Sequence, residues 1–147
     1  MNRLIPTIAL AVLICGCDMH GSSKSDSKTE EKRPGQMSMI TAGDEIAARG
    51  RLQAITTAEA GYQATSPSGE YGTLDELVSK GLMNDPSAGK LARYRFEVKV
   101  TSHGFEATAV PENYGVTGTR SFFVDETRVL RGADKRGAKA TALDPEV

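Results

Sequence analysis

Along this chain the spacing of apolar and polar positions changes several times, and each change marks a segment. After Met1-Asn2-Arg3, residues Leu4 to Ile14 are mostly apolar. From Asp18 to about Gln36 the sequence reads DMHGSSKSDSKTEEKRPGQ, nearly without apolar side chains. From about Met39 the pattern becomes helical. Ala48, Leu52, Ile55, Ala58 and Tyr62 recur at offsets of three and four, which places them on one face of a helix ending around Ala64. Thr41, three residues before Asp44, is the expected cap, and acid in the first turn suits the helix dipole. Asp44, Arg51 and Glu59 are expected on the opposite face. Small residues such as Ala42, Gly43, Ala47, Gly50 and Ala54 are frequent, and they suit close packing against a sheet.

A second, short helix is announced by Thr73-Leu74-Asp75-Glu76, a capping box in which hydroxyl and carboxylate satisfy each other's backbone donors. Leu74, Leu77 and Val78 form its apolar face, and Gly81 followed by Leu82 signals its stop. The period then becomes two. Tyr94, Phe96, Val98 and Val100 alternate with Arg95, Glu97, Lys99 and Thr101, a half-buried strand. Ser102-His103-Gly104 turns the chain, and Phe105 to Val110 returns as the partner before Pro111. Ser121-Phe122-Phe123-Val124 and Arg128-Val129-Leu130-Arg131 are expected to pair around a turn at Asp125-Glu126. From Gly132 the chain is polar and Lys/Ala-rich, and a frayed tail is expected. A long helix followed by a small antiparallel β-sheet is an α+β architecture.

Composition narrows the function classes. The 147 residues allow one domain with a linker or tail. With 39% hydrophobic and 25% charged residues the chain is of globular type, but 5% aromatics and no Trp keep its core small. A net charge of -1 gives no electrostatic footprint for nucleic acid. Cys15 and Cys17 are too close in sequence for an ordinary structural disulfide. A metal site on them would need more ligands than the nearby His20.

The N-terminal apolar stretch is shorter than the roughly 20 residues needed to cross about 30 Å of hydrocarbon. With Arg3 ahead of it, it fits a secretory signal. Ile14-Cys15-Gly16-Cys17 resembles the lipobox of bacterial lipoproteins: aliphatic, small, Gly or Ala, then Cys. The resemblance implies cleavage after Gly16, a thioether-linked diacylglycerol on Cys17 and N-acylation, commonly with palmitate. Such chains are membrane-bound and face the periplasm or the exterior. A plain cleaved signal peptide and an uncleaved anchor are the alternatives. Two or more acyl chains anchor stably where one binds only marginally. The polar stretch that follows cannot bury enough surface to fold, and about 20 such residues span roughly 25 Å, a tether between lipid and domain. The expected organisation is a signal peptide at 1–16, lipidated Cys and tether at 17–38, a folded domain at 39–131 and a flexible tail at 132–147.

The folded part carries a second resemblance. Arg51-Leu52-Gln53-Ala54-Ile55-Thr56-Thr57-Ala58-Glu59, Tyr71-Gly72-Thr73-Leu74, Leu82-Met83-Asn84-Asp85, Tyr94-Arg95-Phe96, Phe105 to Pro111 and Gly118 to Glu126 follow one another much as in type IV pilin-like and type II secretion pseudopilin-like domains. That implies a long helix packed on a small antiparallel sheet and a protein-interaction role in a secretion or pilus system. The chain lacks the Gly-Phe-Thr-Leu-Ile-Glu opening of a true prepilin. Lipid and tether would take the place of the apolar stalk.

Chemistry is sparse. Two isolated His residues form no Ser/His/Asp, Cys/His or zinc cluster, and there is no phosphate loop. No catalytic residue, cofactor or metal is expected, and the chain is read as a non-enzyme. Asp125, Glu126 and Glu112 could in principle share a Ca²⁺, but solvated turn acids are the plainer reading. His103 is expected as a solvated turn residue, and Lys135, Arg136 and Lys139 as a solvated basic tail. The competing expectation is a small structural or ligand-binding envelope lipoprotein unrelated to pilins.

Overall fold

The computed structural model describes residues 34–87 and 93–147, with side chains from Met39 onward. The expected signal segment, Cys17, His20 and the tether up to residue 33 lie outside the described residues. The first element, α1, is Pro34–Thr65, about 48 Å long at the usual helical rise. It therefore begins before the expected boundary at residue 39. Proline is well placed there, because its missing N–H is one that a helix start leaves unpaired anyway. Thr41 is consequently not a cap but lies within the helix, where its hydroxyl donates to Val116 O at 3.3 Å.

Ala48, Leu52, Ile55 and Ala58 are all buried, and Tyr62 packs against the same core, as the helical period requires. Burial of Leu52 and Ile55 contributes roughly 1.5–3 kcal/mol each. The opposite-face assignment of the charges needs correction. Glu59 is fully buried, and Asp44 is half-buried in an ion pair with Arg93 at 3.3 Å.

Next comes α2, Leu74–Ser79, opened by Thr73 in a complete capping box with Glu76. It closes as the sequence announces. Gly81, at φ 69°, donates to Val78 O while Leu82 donates to Leu77 O, the paired bonds of a Schellman stop. Leu82 then lies against α1 beside Gly61.

Four strands follow: β1 (Tyr94–Val100), β2 (Phe105–Pro111), β3 (Arg120–Asp125) and β4 (Arg131–Asp134). They pair antiparallel in sequence order. The β1–β2 register sets Tyr94 opposite Pro111 and Val100 opposite Phe105. Because strand side chains alternate, one face carries Tyr94, Phe96, Phe105, Ala107, Ala109, Phe122 and Val124, and all of these join α1 in the core. The result is α+β, a long helix laid on a four-stranded antiparallel sheet.

Two expectations for the C-terminal part are corrected. The last strand is β4 at Arg131–Asp134 rather than Arg128–Arg131. Asp125 holds a turn through Thr127 N at 3.0 Å, and Arg128 takes a left-handed φ of 63°, so pairing resumes only at Phe123↔Arg131. The stretch from Gly132 is packed rather than frayed. Past β4 the chain returns, so that Arg131 bridges to Glu146 and Val147 N donates to Leu130 O. On the way Ala140 is buried, and the Lys139 ammonium meets the Glu97 carboxylate on β1 at 2.7 Å. This segment covers the outer face of the sheet, where Phe123 is 5% exposed. That is why β3 is buried on both faces.

Candidate functional site

The structure distributes the sequence-derived candidates over distant places. His103 is exposed in the β1–β2 turn, its Nδ1 2.7 Å from Ser102 Oγ. Glu112 follows the end of β2, whereas Asp125 pairs with Glu106 near its start. Six residues of extended strand separate those ends by about 20 Å, so Glu112 and the Asp125–Glu126 turn do not share a cation. Among the described residues no group of three His, Cys, Asp or Glu side chains is placed to hold a metal ion. Of the basic residues, Lys135 pairs with Asp144 at 3.1 Å and Lys139 with Glu97. These cations help fasten the C-terminal segment instead of forming a separate basic surface. Among the described residues no helix is long and apolar enough to cross a membrane.

Two acids of α1 do the positioning that the sequence did not reveal. Glu45 Oε1 accepts from Thr119 N at 3.0 Å, Thr119 Oγ1 at 3.1 Å and Arg120 N at 3.2 Å. One carboxylate oxygen thus ties the β2–β3 loop to the helix. Glu59 Oε2 accepts from Gly72 N at 2.9 Å, while its Oε1 is buried without a hydrogen-bond partner. Burial pushes the Glu59 carboxyl above its ordinary range; the Gly72 bond opposes that shift and the neighbouring Glu76 charge adds to it. The Tyr62 ring lies against Gly72 and carries the Lys80 ammonium 4.2 Å from its centroid, closing the end of α1. Glu59 was legible in one respect. It stands four residues after Ile55 and three before Tyr62, within the buried seam, and only its chemistry argued for solvent.

Two open grooves flank the outward side of α1. One, of 660 Å³, is bounded by Ala54 and Thr57 on the helix and by Leu82, Met83 and Pro86 on the following loop. Arg51 shapes it by donating to Pro86 O. The other, of 240 Å³, runs between Gln53, Thr57 and Ala60 on the helix and Val124 of β3 with Arg128 and Leu130 of the turn that follows it. Neither groove brings a nucleophile beside a base. Between them runs an exposed helical ridge of Gln53, Ala54 and Thr57. Comparison of the chain with protein-family models, curated proteins and solved structures gives no match.

Proposed function

We propose that this chain is a lipid-anchored, non-catalytic, pilin-like module of the bacterial cell envelope, held to a membrane through Cys17 and working by binding a protein partner. The observation that carries this reading is Ile14-Cys15-Gly16-Cys17 at the end of a short apolar segment preceded by Arg3. Acylation there supplies a stable anchor without a spanning helix, and the polar stretch from Asp18 supplies reach. A long helix on an antiparallel sheet is compatible with the pilin-like shape. The bonds from Glu45 and Glu59 hold that helix as a rigid platform for contact.

Two measurements test the reading. C17A is expected to move the protein from the membrane to the soluble envelope fraction and to abolish labelling by a palmitate analogue. Crosslinking in cells followed by capture from detergent-solubilised membranes is expected to recover secretion or pilus machinery. A C17A chain that stays with the membrane, or capture with no reproducible envelope partner, contradicts the proposal.

A further inference from the structure

The outward face of α1 inverts the usual order of a surface helix. Between Met39 and Thr65 no exposed position holds a charged residue; Asp44, Glu45, Arg49, Arg51 and Glu59 are all half-buried or buried. A surface helix ordinarily turns its charges to water. Here Met39, Gly43, Ile46, Gly50, Gln53 and Thr57 follow one another at alternating intervals of four and three along the exposed side, the heptad seam by which helices pack on helices. Met39 is 78% and Ile46 67% exposed. A Cβ added at Gly43 or Gly50 would meet nothing within 4 Å. Glycine weakens a helix interior relative to alanine, so crowding inside the chain does not account for these two.

We propose that α1 pairs with α1 of a second copy of this chain, antiparallel, about a two-fold axis at the height of residue 48. The order of large and small side chains selects both partner and orientation. Reversing the seam about that point sets Ile46 opposite Gly50, Met39 opposite Thr57 and Gln53 opposite Gly43. Each long side chain then meets a short one, and every contact occurs twice, as a two-fold interface requires. A parallel pair would stack Gly43 on Gly43 and Gly50 on Gly50, leaving voids on either side of an Ile46 pair, which close packing disfavours. Ala47 and Ala54 flank the seam and let the two backbones approach. The 660 Å³ groove continues the surface at the Thr57 end, where Leu82 and Met83 offer an apolar seat for Met39 of the second copy. An unrelated helix would not need this self-complementary order. The pairing rests on α1 alone and stands whether or not Cys17 carries lipid.

Sedimentation equilibrium of the full chain in density-matched mild detergent provides the test. The parent is expected to be in monomer–dimer equilibrium. I46E and G50K are each expected to weaken it at least about tenfold, because each buries an unpaired charge at the seam. An equimolar mixture of the two should return to within about threefold of the parent, since the new carboxylate then lies opposite the new ammonium. I46S, a milder change, should also weaken pairing and serves if a charged variant loses its circular-dichroism signature. A parent that is monomeric at every concentration overturns the proposal and passes the seam to a foreign helix or to lipid. Retention of the dimer in both I46E and I46S places the contact elsewhere, and absence of recovery in the mixture removes the antiparallel arrangement.

Discussion

The backbone N–H of Gly72 donates to the Glu59 carboxylate at 2.9 Å, inside the core and across 13 residues of chain. A buried acid left with one unpartnered oxygen is costly as an anion, which is why its carboxyl titrates above the ordinary value of 4.5. The folded state therefore holds the proton more tightly than the unfolded one. Its contribution is fully present below 4.5 and is lost as pH rises through the folded value. Urea unfolding across that window should show stability falling as pH rises, and E59Q should flatten the fall. E59A removes the acceptor and is expected to cost about 1–3 kcal/mol. An unchanged pH profile in E59Q would remove Glu59 as its source.

Thr73 and Glu76 close the start of α2, with Thr73 N donating to the Glu76 carboxylate at 2.7 Å. These bonds from the Thr73 backbone and hydroxyl hold the Glu76 carboxyl below its usual range. T73A is expected to cost about 1 kcal/mol in chemical unfolding. Proton titration of Glu76 followed by NMR should move upward in that variant, towards the ordinary carboxylate value.

Gly118 lies directly against the Tyr94 hydroxyl and ring, and that hydroxyl donates to Arg120 O at 2.9 Å. Any Cβ at position 118 would displace the ring that anchors the start of β1. G118A is expected to destabilise the domain by about 1–3 kcal/mol, the usual range for overpacking a filled core. Y94F removes only the hydroxyl bond and should cost about 1 kcal/mol. Equal losses in the two variants would argue against the steric account.

The C-terminal segment is held by Asp144, which accepts from Thr141 N at 2.7 Å and pairs with Lys135. The Thr141 bonds and Lys135 depress its carboxyl, so the stability it supplies is present above the unfolded value and lost as pH falls through the folded one. D144N should therefore weaken the fold at neutral pH and converge with the parent in acid. Truncation before Lys135 should uncover Phe123 and lower the melting temperature, with increased binding of a hydrophobic dye.

The buried seam of α1, the capping box and stop of α2, and the β1–β2 hairpin were legible because each is written in local periodicity or turn chemistry. The place of Glu59 in that seam was legible too, but its burial was not, since carboxylates are rarely buried without a partner and its partner is a backbone amide from a distant loop. The packing of 135–147 was equally hidden. Its composition is that of a tail; Asp144 and Lys135 pair within it, and the bonds that fasten it to the rest of the fold join Lys139 to Glu97 and Val147 N to Leu130 O. The expectation that the small residues of α1 pack against the sheet holds for Ala48 and Ala58 and is corrected for the rest, because the helical period carries those to the other face. Gly43, Ala47, Gly50 and Ala54 turn away from the sheet, and Ala107 and Ala109 of β2 supply the small surface beneath the helix.

Mass spectrometry of the N-terminal peptide from membrane-extracted protein decides whether Cys17 is the point of membrane attachment. The peptide is expected to begin at Cys17 and to carry the diacylglyceryl thioether, with an acyl chain on the new amino terminus. A peptide with an unmodified Cys17, or one that still contains Cys15, would contradict it.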